Sequence, residues 1–223
     1  MNLQEVFDQL SAGEFSQLSI GGANAGVIDE SNYKKILGHV NLGLTALFTR
    51  FNLKEQSLQF TLNPASDTYQ LNLDDMLKIS KVVTDGDVEV PLNKDGNPYS
   101  CFTPSLNTIQ VPQVILDQGA DLPEDLKTTK LKVVYRANHP KLKLTLGMLN
   151  PSTVNLELPA THLSPLLYFV ASRVHNPIGM TNEFHAGNSY YAKYEAACQR
   201  LENEGMQVDP VPDNTRLSRN GWV

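Results

Sequence analysis

The side chains with the widest chemical repertoire in this sequence are its five histidines, which are His39, His139, His162, His175 and His185. Their spacing contains neither a His-x-x-x-His pair nor a His-Glu-x-x-His motif, so the common helical zinc-ligand pattern is missing from the sequence. Glu183 lies between His175 and His185. A fold that brought these three side chains into one pocket could bind or hydrolyse a small molecule. These three residues form an alternative candidate site.

Two sequence patterns resemble ligand-binding loops without meeting their requirements. The glycine-rich run at 21–26 lacks a following Lys-Ser or Lys-Thr pair and an immediately following helix, which favours a flexible loop over a phosphate-binding loop. The Asp-Gly turns at 85–87 and 93–97 lack the glutamate of a calcium loop, which favours hairpin turns in which the Asp-Gly pair supplies a positive φ. Cys101 and Cys198 are expected to be free thiols. We therefore predict no catalytic, metal or cofactor-binding residue, and no enzymatic activity.

Charge is unevenly distributed along the chain. The formal net charge is −6, which argues against a nucleic-acid sheath because phosphate binding needs a basic surface. Residues 67–95 contain seven acids and three lysines, whereas residues 127–143 contain six basic residues and no acid. Such regions could meet head to tail in a ring of identical subunits. They could equally be two solvated faces of one strand module.

Hydrophobic periodicity places these residues on predicted elements. Apolar spacing of three and four residues predicts helices over 2–10, 33–51 with Ser31 as N-cap, 163–174 and 180–204, the last stopped by Gly205. Gly38 and Gly43 in the second helix would permit close approach of another backbone. Alternating apolar residues predict strands over 57–62, 69–73, 77–83, 87–90, 108–111 and 131–137, with a further short alternation at 154–158. No apolar run is long enough to span a bilayer.

These elements predict an α+β fold in which a β-rich module interrupts a helical bundle. The bundle combines the N-terminal long helix with the two C-terminal helices, because each helix has an apolar stripe that needs cover. The predicted organisation is an N-terminal helical part at 1–56, a β-rich insertion at 57–158, C-terminal helices at 159–206 that pack on the first, and an extended C-terminal arm at 207–223.

Three segments resemble head-to-tail connector (adaptor) proteins of tailed bacteriophages, a family that includes the tail tubular protein A of short-tailed phages. The segment YKKILGHVNLGLTALFTRFNLKEQSLQFTL at 33–62 is similar to their opening helix, turn and strand. The segment LELPATHLSPLLYFVASRV at 156–174 resembles the Leu-Pro turn and helix that follow their β module. The segment NEFHAGNSYYAKYEAACQRLENEGM at 182–206 is similar to their closing helix.

The resemblance implies a structural virion protein without catalysis or cofactor. Its subunits would form a ring, commonly twelve-fold, in the virion neck between the portal protein and the tail or nozzle proteins, after synthesis in the host cytoplasm. DNA would pass through the ring without specific binding, and no membrane would be involved.

Two sets of site residues follow as expectations. The C-terminal arm has an interface composition, with two prolines that favour extended backbone followed by basic and aromatic side chains; these residues are Pro210, Pro212, Arg216, Arg219 and Trp222. An acidic channel lining would repel phosphate, and the first candidates for it are Asp85, Asp87 and Glu89. The second candidates are Glu195, Glu202 and Glu204, and the basic segment 127–143 would then face an acidic neighbour.

Overall fold

The structure, a computed structural model, describes residues 1–18, 20, 24–143, 150–175 and 181–205, with only the backbone of 181–186. Within these residues the α-helices are α1 (Leu3–Ala12), α2 (Glu30–Arg50), α3 (Gln113–Asp117), α4 (Leu163–Val174) and α5 (Thr181–Asn203). The strands are β1 (Glu55–Thr61), β2 (Thr68–Gln70), β3 (Met76–Thr84), β4 (Glu89–Val90), β5 (Phe102–Ser105), β6 (Thr108–Gln110) and β7 (Lys130–Ala137). The fold class is α+β, as predicted.

The chain divides into two compact units. The helical unit combines Met1–Leu53 with His139–Val223, and the β unit is Lys54–Asn138. The sequence predicts that the β-rich module extends to residue 158, but the β unit ends at Asn138. The backbone beyond it belongs to the helical unit, because the Leu3 amide donates to the Val154 carbonyl and the Leu156 amide donates to the Met1 carbonyl, both at 2.9 Å.

The first two helices of the helical unit begin in different ways. Asn2 caps α1, since its Oδ1 accepts a hydrogen bond from the Glu5 amide at 2.9 Å. The predicted cap of α2 at Ser31 is wrong, because the helix begins at Glu30 and Asp29 holds the N-cap position. The Asp29 carboxylate accepts instead from the Ser31 hydroxyl at 2.6 Å and from Asn32 Nδ2 at 2.9 Å. Asn32 also donates to the Ile20 carbonyl, which ties the preceding loop to α2.

The other α-helices of the helical unit pack on α4. It contacts α1, α2 and α5, and its apolar residues Leu166, Phe169 and Val170 are buried. The sequence predicts that α2 and α5 pack directly on one another, but each packs mainly on α4. The cause lies in hydropathy: α4 is apolar on most of its circumference, so it needs cover from several sides.

Alanine substitutions at Gly43 and Gly38, both on α2, test the packing of α2 on α4. A Cβ atom on Gly43 would lie 2.7 Å from Leu166 Cδ1 and 3.0 Å from Phe169 Cδ1, whereas a Cβ atom on Gly38 meets no described atom within 4 Å. We expect Gly38→Ala to raise the free energy of unfolding by about 0.5–1 kcal/mol through helix propensity. Gly43→Ala should lower it by about 1–3 kcal/mol, because buried side chains must move. Urea denaturation of both variants measures the difference, and equal effects would contradict the α2–α4 contact.

The β unit contains two antiparallel sheets, with strand orders β1-β7-β3-β4 and β2-β6-β5. The predicted strands are present with slightly different ends, while β5 and α3 were not predicted. The alternation at 154–158 is no strand; it forms one isolated bridge, between Asn155 and Asn2. The core of the unit lies on the inner faces of β3 and β7, where Ile79, Val82, Leu131 and Val133 are buried with Ile109 of β6 and Ile115 of α3.

Candidate functional site

The candidate channel acids lie at one end of the four-stranded sheet. Asp85 and Asp87 belong to the turn between β3 and β4, Glu89 belongs to β4, and all three are exposed. The turn is closed by hydrogen bonds from the Asp87 amide to the Thr84 carbonyl and from the Thr84 amide to the Val88 carbonyl. The positive φ predicted for the Asp-Gly pair occurs at the following residue instead, since Asp87 has a φ of 58°.

Strand pairing brings the acidic and basic segments together within one chain. Asp87 Oδ1 lies 2.8 Å from Lys132 Nζ, and Asp85 Oδ1 accepts a hydrogen bond from the Thr128 hydroxyl at 2.7 Å. The Lys132 ammonium, through its hydrogen bond and its charge, lowers the pKa of Asp87 below the usual aspartate range. These contacts exist because β3 and β7 are neighbours, with Val83 opposite Lys132. The two segments therefore compensate one another in part before any second subunit is involved.

The outer face of this sheet is polar and charged. Side chains alternate along β1 and β7, so the residues opposite to the core share this face. The basic residues on this face are Lys78, Lys81, Lys130, Lys132 and Arg136. The acidic residues on it are Glu55, Asp87 and Glu89. A depression of about 470 Å³ on this face is lined by Glu55, Ser57, Lys81, Asp87, Lys132 and Val134, among others. The mixture of opposite charges suits a partner that also carries both signs.

Substitutions at Asp87 and Glu89 compare an ion-paired acid with an exposed acid on the neighbouring strand β4. Asp87→Lys should lower the melting temperature by a few degrees, because it places a lysine beside Lys132 and a long side chain on left-handed backbone. Asp87→Asn should have a smaller effect, since asparagine tolerates that backbone and loses only the ion pair. Glu89→Lys should leave the melting temperature unchanged, as expected for an exposed position. Calorimetry that found the same temperature for all three variants would contradict the Asp87–Lys132 pair.

Of the three residues of the alternative site, His175 is the one whose side chain the structure describes. His175 Nε2 lies 2.9 Å from the Glu14 carbonyl oxygen, and the Tyr190 hydroxyl lies 3.4 Å from the same oxygen. The His175 ring also contacts the rings of Phe15 and Tyr190. This ring therefore holds the chain after α1 against α4 and α5. The side chains of Glu183 and His185 lie outside the described residues, as do Gly21, Gly22 and Ala23 of the glycine-rich run.

The second set of candidate channel acids forms ion pairs. Arg50 Nη1 lies 2.6 Å from Glu195 Oε2, and Arg50 Nε lies 2.6 Å from Glu202 Oε1. This guanidinium lowers the pKa of Glu202. Glu204 Oε1 lies 2.8 Å from Arg200 Nε. The network joins the end of α2 to α5, and sequence reasoning missed it although Glu195 and Glu202 are two helical turns apart on one face of α5.

Beside this network lies a buried thiol. Cys198 is fully buried, and burial raises its pKa to about 11, so the protonated thiol dominates at neutral pH. Cys101 in the β unit is likewise buried, and burial raises its pKa to about 12. Both cysteines are free, as predicted. A neutral buried thiol is a weak nucleophile and a poor metal ligand, so neither group extends the candidate chemistry.

The predicted C-terminal arm, with Pro210, Pro212, Arg216, Arg219 and Trp222, lies outside the described residues. Within the ranges that the structure describes, no group of three or more histidine, cysteine, aspartate or glutamate side chains is placed to hold a metal ion. None of the described helices is long and apolar enough to cross a membrane.

No protein-family model matches the sequence, and no curated protein matches it significantly.

Proposed function

We propose that this protein is a structural subunit that assembles into an adaptor ring between the portal and the tail of a bacteriophage. The observation that carries the proposal is the chain order. Two chain segments that flank a β unit combine into one helical unit, which is the arrangement implied by the resemblance of segments 33–62, 156–174 and 182–206 to phage connectors. Fold order alone does not define function, so the proposal depends on these segments and the fold together.

The helical unit supports the proposal as a rigid spacer. Helix α4 packs on both α2 and α5, and this packing supports the bundle that the resemblance implies. The ion pairs from Arg50 to Glu195 and Glu202 connect the outer helices at one end. A neck subunit must keep its shape while DNA passes, and a bundle with both apolar packing and partly buried ion pairs resists shear between its helices.

In the proposed ring, Asp85, Asp87 and Glu89 are the first candidates for the acids that face the DNA channel. Lys130 and Lys132 occupy the same end of the sheet, so three acids face two lysines there, and Asp87 is ion-paired. The electrostatic repulsion expected of an acidic lining is therefore reduced. Glu195, Glu202 and Glu204 are engaged by arginines as well. DNA passage without specific binding also fits the net charge of −6 of the whole chain.

Electron microscopy of the purified full-length protein tests the proposal. We expect rings with a central opening wide enough for duplex DNA and, from the resemblance, twelve subunits. Native mass measurement should give the same stoichiometry. A truncation after Glu204 tests the proposed docking arm: the shortened protein should keep its melting temperature and lose attachment to the portal or tail partner. A protein that remains monomeric across the whole accessible concentration range would overturn the adaptor proposal.

A further inference from the structure

Strand β1 (Glu55–Thr61) forms an open edge of the four-stranded sheet. The strand order β1-β7-β3-β4 gives it a single neighbour among the described residues, and it pairs with β7 over its whole length without a register shift. None of its seven residues is buried. An edge strand presents unpaired backbone donors and acceptors, so a regular and exposed edge can pair with a further strand.

Alternate residues of β1 direct their backbone groups away from β7. The Leu62 amide donates to the Thr129 carbonyl and the Ala137 amide donates to the Lys54 carbonyl, both at 2.9 Å. Since backbone direction alternates along an antiparallel pair, the even-numbered residues of β1 face β7 and the odd-numbered residues face outward. The outward-facing amides without a partner among the described residues are those of Ser57, Gln59 and Thr61.

The other sheet edges have features that β1 lacks. Strands β2 and β4 have three and two residues, and β5 contains Pro104 and pairs with β6 through a register shift. Short length, proline and irregular pairing all hinder the addition of a strand. The stretch 56–61 of β1 contains no proline, no glycine and no charged residue. Of the described edges, β1 is therefore the one that suits strand addition.

We propose that a second copy of this chain adds its own β1 to this edge in antiparallel orientation, which joins the two four-stranded sheets into one. This contact goes beyond the adaptor proposal. An edge that pairs with itself forms a two-fold contact, which closes a pair of subunits and does not propagate around a ring. In an assembly of rings the contact would join two rings.

Self-pairing centred on Leu58 satisfies every outward-facing backbone group of β1. In this register Ser57 of one copy lies opposite Gln59 of the other, and Glu55 lies opposite Thr61. Each of these pairs consists of two outward-facing residues, so both of its backbone hydrogen bonds can form. The seven residues of the strand are then paired along their whole length.

The charges next to this edge favour the antiparallel arrangement. In the register centred on Leu58, Glu55 faces a threonine and Lys54 faces Leu62, so like charges do not lie opposite one another. A parallel pairing in register would place Glu55 beside Glu55 of the other copy. Nucleic acid is a poor occupant of the same edge, because the stretch 56–61 contains no basic residue to bind phosphate.

The side chains on both faces of β1 also fit a second copy of the strand. On the outer face, Ser57 and Gln59 of opposite copies can form a hydrogen bond across the strands. On the inner face, Leu58 and Phe60 are partly buried against the core of the β unit. In the paired strands Leu58 meets Leu58 of the other copy and Phe60 meets Gln56, which extends the apolar cover of that core.

Lysines placed on the outer face of β1 test the contact in the full-length protein. Ser57→Lys with Gln59→Lys puts two lysine pairs opposite one another in the paired strands, so the Kd for self-association should rise at least about tenfold. Both residues are exposed, so the melting temperature of the monomer should not change. The matched control is Thr68→Lys with Gln70→Lys, which adds the same charges at the same spacing on β2 and should leave the Kd unchanged. Analytical ultracentrifugation over a concentration series measures the Kd.

Two further variants separate loss of the contact from loss of the fold. Ser57→Glu with Gln59→Glu should also associate weakly by itself, but its equimolar mixture with the lysine variant should associate, because opposite charges then face one another. Gln59→Pro removes an amide that β7 does not use, and an edge strand tolerates proline at such a position. This variant should remain folded and lose the contact.

Amide hydrogen exchange, followed by nuclear magnetic resonance, tests the register. The amides of Ser57, Gln59 and Thr61 should exchange at least about tenfold more slowly at concentrations above the Kd than below it, because they become hydrogen-bonded only in the pair. The Leu58 and Phe60 amides face β7 and should be protected at both concentrations.

The possible outcomes distinguish the β1 contact from the adaptor proposal. Wild-type assemblies that the lysine and proline variants form equally well would overturn the β1 contact and leave the adaptor function standing. Dimers without rings, lost in both variants, would support the β1 contact and count against the adaptor. A wild type that stays monomeric would overturn both proposals. If a synthetic peptide with the sequence of residues 55–61 protects the outward-facing amides of a chain that stays monomeric, the edge binds an extended segment of another protein, and the second copy is overturned as its occupant.

Discussion

Replacing Leu44 by aspartate should lower the free energy of unfolding of the helical unit by at least about 4 kcal/mol. Leu44 is 1% exposed on the face of α2 that also buries Val40 and Leu47. The substitution removes a buried apolar side chain, which costs about 2–5 kcal/mol where a cavity remains. It also places a carboxylate where no partner is provided, which adds the cost of burying or protonating a charge. Since protonation relieves part of that cost, the loss should be larger at pH 8 than at pH 5.

Leu42→Asp is the matched control for this prediction. Leu42 lies on the same helix, two residues away, and is 56% exposed. The change in chemistry is identical, but the new carboxylate remains in water, so the free energy of unfolding should change by no more than about 0.5 kcal/mol. Urea denaturation followed by far-ultraviolet circular dichroism measures both variants. Equal midpoints would mean that the buried face of α2 is assigned incorrectly.

The helical unit should also lose stability as the pH falls below 6.5. His162 is 1% exposed, its Nε2 has no hydrogen-bond partner among the described residues, and its ring lies edge-on to Phe51 with centroids 4.7 Å apart. Burial lowers the pKa of His162, and burial followed by repulsion from Arg173 lowers the pKa of His39, each from the ordinary value of 6.5. Both rings are therefore held neutral in the folded protein.

The direction of the effect follows from proton binding. Between the lowered pKa of the folded state and 6.5, the unfolded chain binds a proton that the folded chain does not, so acid favours unfolding. Stability is complete above pH 6.5 and falls by at most about 1.4 kcal/mol per pH unit for each such histidine.

His162→Phe isolates this contribution, because phenylalanine keeps a ring against Phe51 and cannot titrate. The variant should show a shallower dependence of the unfolding free energy on pH between 6.5 and 5, by up to about 1.4 kcal/mol per unit. His39→Gln should likewise make the dependence on pH shallower. The measurement is a series of urea denaturation curves from pH 8 to pH 5. A slope that does not change in His162→Phe would show that His162 titrates alike in the folded and unfolded chain.

Local sequence patterns predicted most helices and strands, because the formation of a helix or strand depends largely on residues that are close in sequence. The apolar periodicity of α1, α2, α4 and α5 reflects which residues share one face of a helix, and the alternation in β1, β3 and β7 reflects the two faces of a strand. The short β5 and α3 escaped prediction because β5 contains Pro104 and α3 has five residues, too few for a periodic signal. The cap of α2 moved from Ser31 to Asp29, as element ends commonly do.

The sequence by itself determined the α+β class, the order of helices and strands, the buried faces and the free cysteines, since each follows from composition or short-range spacing. Only the tertiary structure decided which elements meet. It placed α4 between α2 and α5, brought Arg50 to Glu195 and Glu202, and joined Asp87 to Lys132 through the register of β3 on β7. These contacts connect residues far apart in the chain. Helical or strand periodicity carries no information on such pairs, because a periodic face needs cover but does not specify which partner supplies it.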